Sequence, residues 1–142
     1  MIEDGVRIIG NVHLGDNVSI AAPCEVNGKD SSVSIGDGCD IAAGVTITCA
    51  DSHRRCVGRS SEIERLPIRL GVKVYIGADA IILGNAIIED RVVIGPNVVI
   101  RNSTIGHDST IWPNVVLIGT AVPPYSWVRA ADPVVLPGHY AR

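Results

Sequence analysis

The sequence contains no phenylalanine, and aromatic residues make up only 4% of it, although 46% of its 142 residues are hydrophobic. A core without large rings has to be built from closely stacked Ile, Val, Leu and Ala side chains. Lysine is also scarce, and the formal net charge is −3. Nucleic-acid-binding proteins usually carry a basic face. The composition therefore predicts no nucleic-acid partner.

Membrane and export signals are missing as well. No apolar run approaches the roughly 20 residues of a membrane-spanning helix. Met1–Gly5 carries acid where a signal peptide carries base, and no apolar segment follows it. We therefore expect a cytoplasmic protein with no membrane partner. Its cysteines show no CxxC pair and no metal-ligand spacing, which favours free thiols; they are Cys24, Cys39, Cys49 and Cys56.

Aliphatic residues recur every six positions along most of the chain. The positions are Ile8, Leu14, Ile20 and Val26; Ile35, Ile41 and Ile47; Leu70, Ile76, Ile82, Ile88, Ile94 and Ile100; and, after a slip of one, Ile105, Ile111 and Leu117. A small or branched apolar residue usually follows each of them by four positions. A period of six fits neither an amphipathic helix nor a simple hairpin meander. Each hexapeptide predicts one short strand followed by a corner.

Three such strands would form a triangular coil of about 18 residues, a periodicity typical of solenoids. Residues 18 apart would then stack, so that Ile76, Ile94 and Ile111 form one column. Successive coils would rise by about 4.8 Å, the spacing of neighbouring strands. The pattern predicts an all-β fold of about six triangular coils, with residues 1–142 forming a single domain. Periodicity alone does not give the hand of the coil.

Two interruptions of the repeat stand out. The polar segment Asn27–Ser32 has the composition of a surface loop. The longer one runs from His53 to Leu66, and with Pro67 it predicts one extruded loop over about residues 53–67. Two interpretations stay open: a solvated loop with weak internal ion pairs, or a loop that binds a substrate. Its charged residues are Arg54, Arg55, Arg59, Arg65, Glu62 and Glu64.

Hexapeptides such as Ile76–Ile81 and Ile94–Val99 resemble the hexapeptide-repeat acyltransferase family. The segments Cys49–His53 and Leu66–Gly77 are similar to those of maltose and related sugar O-acetyltransferases and of xenobiotic acetyltransferases. The resemblance implies a left-handed parallel β-helix. It also implies a CoA-dependent acyltransferase that moves the acetyl group of acetyl-CoA to a hydroxyl or amine of a small sugar-like or xenobiotic acceptor.

The resemblance makes His53 the general base. Acyl transfer from a thioester requires the acceptor to lose a proton, and imidazole can take it at neutral pH. Asp51 either orients the imidazole or is an ordinary polar corner residue. With Arg54 and Arg55 it is expected near the acceptor. A covalent route through a cysteine beside His53 is the less favoured alternative.

In the family, acetyl-CoA lies in a groove between neighbouring subunits of a homotrimer. Matching positions here are the corner residues Ala78 and Pro96, with Arg101 and Asn102 at the turn expected to meet the CoA phosphates. At the donor site the chain departs from the family pattern at three places. Asn102 replaces a lysine, Pro96 lacks an N–H group, and Ala131–Val134 replaces a Gly-Asn-Pro-Ala stretch. Apolar outward positions favour the trimer; they include Ile81, Ile87, Val93 and Val99.

Two other functions compete with acyl transfer. One is a non-catalytic β-helix that serves as a scaffold or assembly subunit, since a fold does not imply a function. The other is a γ-class carbonic anhydrase, whose zinc site needs three histidines, two of them a few residues apart. The histidines His13, His53, His107 and His139 contain no such pair, so no metal is expected.

Overall fold

The computed structural model describes residues 1–130 and shows a nearly all-β chain wound as a parallel β-helix of about seven turns. The predicted fold class is confirmed, and the architecture is consistent with a left-handed coil. The β-helix has about one turn more than the approximately six predicted, because pairing continues beyond both ends of the six-residue repeat. Ile2 bridges Ile20, and the last strand ends at Val128. Ala131–Val134 and His139 lie outside the described residues, so a single domain over 1–142 stays a prediction.

The strands stack into three faces. Two long strands, β1 (Val6–Leu14) and β3 (Cys24–Ile35), bend through the first and second faces and join them into one ten-stranded sheet. The first face continues with β5 (Thr46–Thr48), β10 (Ile81–Leu83), β13 (Val99–Arg101) and β16 (Val116–Ile118). The second continues with β8 (Ile68–Leu70), β11 (Ile87–Ile88), β14 (Thr104–Ile105) and β17 (Ala121–Val122). The third holds β2 (Ser19–Ile20), β4 (Asp40–Ile41), β9 (Tyr75–Ile76), β12 (Val93–Ile94), β15 (Thr110–Ile111) and β18 (Trp127–Val128).

The interior is a set of aliphatic columns. Ile76 pairs with Ile94 and Ile94 with Ile111, which confirms the predicted stacking across the one-residue slip. All three side chains are buried, and the buried residues of the described chain include no aromatic side chain. The absence of phenylalanine therefore reflects an interior too narrow for stacked rings, in which close packing uses branched aliphatic residues instead.

The corners rely on residues that tolerate the left-handed backbone region. Asp79, Asn97 and Asn114 stack at the corner between the third and first faces, with φ of 62°, 59° and 66°. Asp and Asn adopt this conformation more readily than other residues with side chains. At Gly95 a Cβ atom would lie 2.8 Å from the backbone nitrogen of Pro113, so the close approach of successive coils requires glycine there.

The first interruption is not the surface loop expected from its composition. Asn27–Ser32 lies within strand β3, which stays paired with β1 through a register shift between Gly10 and Val12. Between the pairs Gly10–Gly28 and Val12–Val33, β1 advances by two residues and β3 by five, so the extra residues form a bulge in β3 alone. Lys29 and Asp30 in this bulge are exposed, as they would be in a loop, so composition alone did not distinguish a bulged strand from a loop.

The second interruption is an excursion from the β-helix, as predicted. The chain leaves after β5 through β6 (Ala50–Asp51), forms α1 (His53–Cys56), and returns through β7 (Glu64–Arg65) to β8. Strands β6 and β7 pair antiparallel and form the neck of this loop. No helix within residues 1–130 has the length and apolarity needed to cross a membrane.

Candidate functional site

His53 begins α1, directly beyond the neck of the loop. Asp51 Oδ1 accepts a hydrogen bond from the backbone N–H of His53 at 3.0 Å and lies 2.5 Å from the ring Nδ1. The His53 side chain is half exposed, at 51%. A proton on Nδ1 that is donated to the carboxylate leaves Nε2 as the ring's acceptor. The arrangement can therefore present Nε2 to an incoming hydroxyl or amine as a base.

The Asp51 carboxylate is held in its charged form. Partial burial acts to raise the pKa of Asp51, but hydrogen bonds from the His53 backbone and ring and the charge of Arg101 outweigh it. The pKa of this carboxyl is therefore lowered from its ordinary value. A charged carboxylate beside Nδ1 stabilises the imidazolium that forms when His53 takes a proton. Of the two roles left open for Asp51, the geometry favours orienting the ring.

Arg101 also lies in this cluster. Its Nη2 is 3.1 Å from Asp51 Oδ2 and 3.9 Å from Glu64 Oε2. The residue ends strand β13 on the first face, so it reaches the loop from the body of the β-helix. A guanidinium placed between two carboxylates has most of its charge compensated, which competes with the expected contact to CoA phosphates.

The other predicted donor positions lie apart from the His53 cluster within one chain. Ala78 and Pro96 are exposed and stack one coil apart, since Asn97 donates its backbone N–H to the Ala78 carbonyl at 3.0 Å. They precede the amino ends of β10 and β13, whereas the loop leaves at the carboxyl ends of the first-face strands, after β5. Asn102 is at the carboxyl end of β13, where its Oδ1 accepts a 2.6 Å hydrogen bond from Asn85 Nδ2.

The two arginines that follow His53 differ in their contacts. Arg54 Nη1 lies 3.5 Å from Glu64 Oε1, whereas Arg101 approaches the other oxygen, Oε2. Arg55 is exposed and forms no salt bridge within residues 1–130. Both side chains lie on the short helix that carries the candidate base.

The cysteines near His53 do not share one environment. Cys49 is buried, its Sγ donates to the Ser32 carbonyl at 3.2 Å, and burial raises the pKa of its thiol. A thiol of this kind is a small interior residue and a poor nucleophile. Cys56 is exposed and is the cysteine to which the covalent alternative still applies.

Sequence reasoning missed a second histidine cluster. His107 Nδ1 lies 2.8 Å from Asp108 Oδ2, and Arg91 binds the Asp108 carboxylate through Nε at 2.9 Å and Nη2 at 3.0 Å. The cluster borders an open groove of about 630 Å³ along the second face, which also includes His13 and Arg69. Stacking at a separation of 17 residues, as for Arg91 and Asp108, was the signal that could have revealed it.

Within residues 1–130, no group of three or more His, Cys, Asp and Glu side chains is arranged to hold a metal ion. The zinc-enzyme alternative needs such a ligand set within one chain or at an interface. The described residues offer none within one chain.

Two family models match parts of the sequence. The model described as bacterial transferase hexapeptide (six repeats) matches residues 68–102, and the one described as hexapeptide repeat of succinyl-transferase matches residues 11–49. No curated protein matches the chain.

Solved structures share the fold. A maltose O-acetyltransferase from Clostridium difficile 630 is 22% identical with a TM-score of 0.57, and the alignment covers 92% of this chain and 62% of that protein. A hexapeptide-repeat-containing acetyltransferase from Vibrio cholerae O1 biovar eltor, in complex with acetyl-CoA, is 25% identical with a TM-score of 0.53. That alignment covers 87% of this chain and 59% of that protein.

The stacked strands and the repeat together define a parallel β-helix protein of the hexapeptide type. Residues 11–49 and 68–102 carry the hexapeptide repeat of bacterial transferases. The chain spans about three fifths of the length of the two solved relatives, at 62% and 59%.

Proposed function

We propose that the protein is a CoA-dependent acyltransferase that moves the acetyl group of acetyl-CoA to a hydroxyl or amine of a small sugar-like or xenobiotic acceptor. The observation that carries the proposal is the Asp51–His53 pair on the loop that leaves the β-helix. The acetyl-CoA complex of the Vibrio cholerae relative supports the donor.

The chemistry assigns one step to each group. His53 Nε2 takes the proton of the acceptor as the acceptor oxygen or nitrogen attacks the thioester carbonyl. The tetrahedral intermediate collapses, the carbon–sulfur bond breaks, and the thiolate of CoA receives the proton from the imidazolium. Asp51 stabilises the imidazolium between these two transfers. Backbone N–H groups at a coil corner are suited to stabilise the oxyanion.

For the donor, we propose that the pantetheine arm runs along the corner formed by Ala78 and Pro96. Pro96 has no N–H group, so hydrogen bonds at that position must use its neighbours. Asn102 and Arg101 are the candidates for the CoA phosphates. The contacts of Arg101 with Asp51 and Glu64 make it the weaker of the two.

For the acceptor, we propose that Arg54 and Arg55 contribute contacts from α1. Asp51 was expected to bind the acceptor directly. Because both of its oxygens are engaged, by His53 and by Arg101, we assign it to the ring instead.

We further propose that the protein works as a cytoplasmic homotrimer. Within one chain the first face separates the donor corner from the loop, so a neighbouring subunit is the source of a corner that faces His53. Outward apolar side chains support this packing: Ile81, Ile87 and Val93 are 38%, 36% and 43% exposed. A parallel sheet is normally covered on both sides.

Two measurements test the proposal. Calorimetric titration with CoA asks whether the donor binds at all, and a thiol-release assay with acetyl-CoA screens sugars, amino sugars and antibiotics as acceptors. We expect CoA binding and release of free CoA with at least one acceptor class. If CoA fails to bind at millimolar concentration, the scaffold alternative replaces the enzyme, and the departures at Pro96 and Asn102 explain the loss.

A further inference from the structure

The neck of the loop contains an unfavourable pair of charges. Strands β6 and β7 pair antiparallel, and their register places Asp51 directly opposite Glu64. Like charges opposite each other in an antiparallel pair are destabilising. The carboxylate that orients His53 is therefore next to a group that repels it.

Arg101 compensates both carboxylates from outside the loop. Its Nη2 lies 3.1 Å from Asp51 Oδ2 and 3.9 Å from Glu64 Oε2, and its side chain is one-third exposed, at 33%. Register in the first face places β13 two strands from β5, the strand from which the loop departs. Two strand spacings are about 10 Å. Arg101 thus ties the folded-back neck to the rigid stack.

The two contacts of Asp51 divide its oxygens between distinct tasks. Oδ1 faces His53 Nδ1, and Oδ2 faces Arg101. A carboxylate held at both oxygens has little freedom to rotate, so the guanidinium also sets the direction of the hydrogen bond to the imidazole. Glu64 keeps a second cation, Arg54, on its other oxygen.

We propose that Arg101 is a positioning residue for His53: it neutralises the Asp51–Glu64 pair at the neck of the loop and so holds Asp51 where it orients the imidazole. This inference rests on the proposed function for its effect on catalysis, but its structural claim can be measured without an acceptor. It differs from a role in binding CoA phosphates, which would act on donor affinity.

The test uses Arg101→Met, which keeps the apolar stem and removes the charge, with Arg101→Lys and the double variant Arg101→Met/Glu64→Gln. The matched control is Arg7→Met, an arginine on the same face whose Nη1 lies 3.7 Å from Glu25. Two-bond proton–nitrogen NMR correlations at alkaline pH report which nitrogen of His53 carries the proton. Steady-state kinetics report kcat and the KM for acetyl-CoA.

We expect the wild type to hold the proton on Nδ1 and Arg101→Met to give a mixture of tautomers. A displacement of about 1 Å costs about a hundredfold in rate, so kcat should fall up to that factor with little change in the KM for acetyl-CoA. Arg101→Lys keeps the positive charge, so it should retain part of the wild-type preference for the Nδ1 tautomer and part of the wild-type kcat. The double variant should recover the Nδ1 tautomer and most of kcat, because the neutral amide that replaces the Glu64 carboxylate no longer repels Asp51. Arg7→Met should match the wild type.

Three results would overturn the inference. One is a wild-type ring that does not carry its proton on Nδ1. Another is Arg101→Met with unchanged tautomer and kcat but a raised KM for acetyl-CoA, which assigns Arg101 to the phosphates. The third is a double variant no better than Arg101→Met, because that result would show that repulsion from Glu64 does not displace Asp51. If the tautomer depends on Arg101 yet no acceptor is acetylated, the positioning role stands and the proposed function fails.

Discussion

The loop and the corners of the β-helix each hold a histidine, a carboxylate and a guanidinium, but they assemble them differently. At the corner, His107 and Asp108 are adjacent, and Arg91 comes from the neighbouring coil. At the loop, Asp51 and His53 are two residues apart, and the arginine comes from a strand two positions away in the sheet.

The His53 and His107 rings both face a carboxylate, but they differ in packing and in exposure. The backbone N–H of His107 donates to Glu89 at 3.0 Å, and its ring packs edge-on against Tyr125 with centroids 5.1 Å apart. His53 has half of its side chain exposed, against 38% for His107. A carboxylate partner therefore does not by itself mark a catalytic histidine. A ring with an accessible Nε2 on a segment outside the regular stack is the stronger indication.

Replacing the two histidines gives the sharpest contrast. His53→Ala should lower kcat by about 10²–10⁴, the usual effect of a positioned base, while leaving CoA affinity nearly unchanged. His107→Ala serves as the matched control, with turnover close to that of the wild type. The thiol-release assay measures both. Equal losses in the two variants would show that the loop histidine has no special role.

Replacing one interior and one loop residue compares the stability of the two regions. Ile82 is fully buried in the aliphatic column of the first face, whereas Val57 is 62% exposed on the loop. Ile82→Ala should lower the free energy of unfolding by about 2–5 kcal/mol, because it removes transfer energy and leaves a cavity. Val57→Ala should change it by less than about 0.5 kcal/mol, as surface substitutions usually do. Urea unfolding measures both, and a large effect at Val57 would contradict the picture of a loop outside the core.

Neutralising the two carboxylates separates orientation from stability. Asp51→Asn should reduce kcat about a hundredfold through misplacement of the ring, with no loss of CoA affinity. Asp108→Asn should leave kcat near the wild-type value, because its carboxylate orients a ring that packs on Tyr125. The same steady-state assay applies. Comparable losses in both variants would mean that the corner cluster takes part in turnover.

The smallest effect concerns acid stability at the corner. Hydrogen bonds from Arg91 and His107 outweigh desolvation and lower the pKa of Asp108 from 3.8 to about 2. A carboxylate with a lowered pKa in the folded state stabilises it above the unfolded value, and the contribution disappears as the pH falls through the folded value. The contribution of the Asp108 carboxylate, measured as the stability difference between wild type and Asp108→Asn, should thus be present above about pH 5 and shrink between about pH 4 and pH 2. Urea titrations at several pH values measure this stability difference. A difference that grows on acidification would contradict the predicted direction.

Much of the molecule follows from local sequence. The six-residue period predicts the coil, because one strand and one corner repeat with one side chain always directed inward. The absence of phenylalanine predicts a narrow aliphatic interior, and the columns through Ile76, Ile94 and Ile111 agree with it. The break in the period after Cys49 located the loop, and resemblance within that loop selected His53. These features depend on residues close together in the chain.

Features that depend on contacts between distant segments could be seen only in the tertiary structure. The coil count reached about seven because Ile2 and Val128 extend the stack beyond the recognisable repeat. Asn27–Ser32 became a bulge within β3 because pairing with β1 resumes on both sides of it, at Gly28 and at Val33, which its own composition does not encode. The meeting of Arg101 with Asp51 and Glu64 depends on how the neck of the loop folds back over two strands of the first face. That path is set by packing and by charge compensation across the fold, so the sequence by itself assigned Arg101 to the CoA phosphates and did not reveal its contact with the loop.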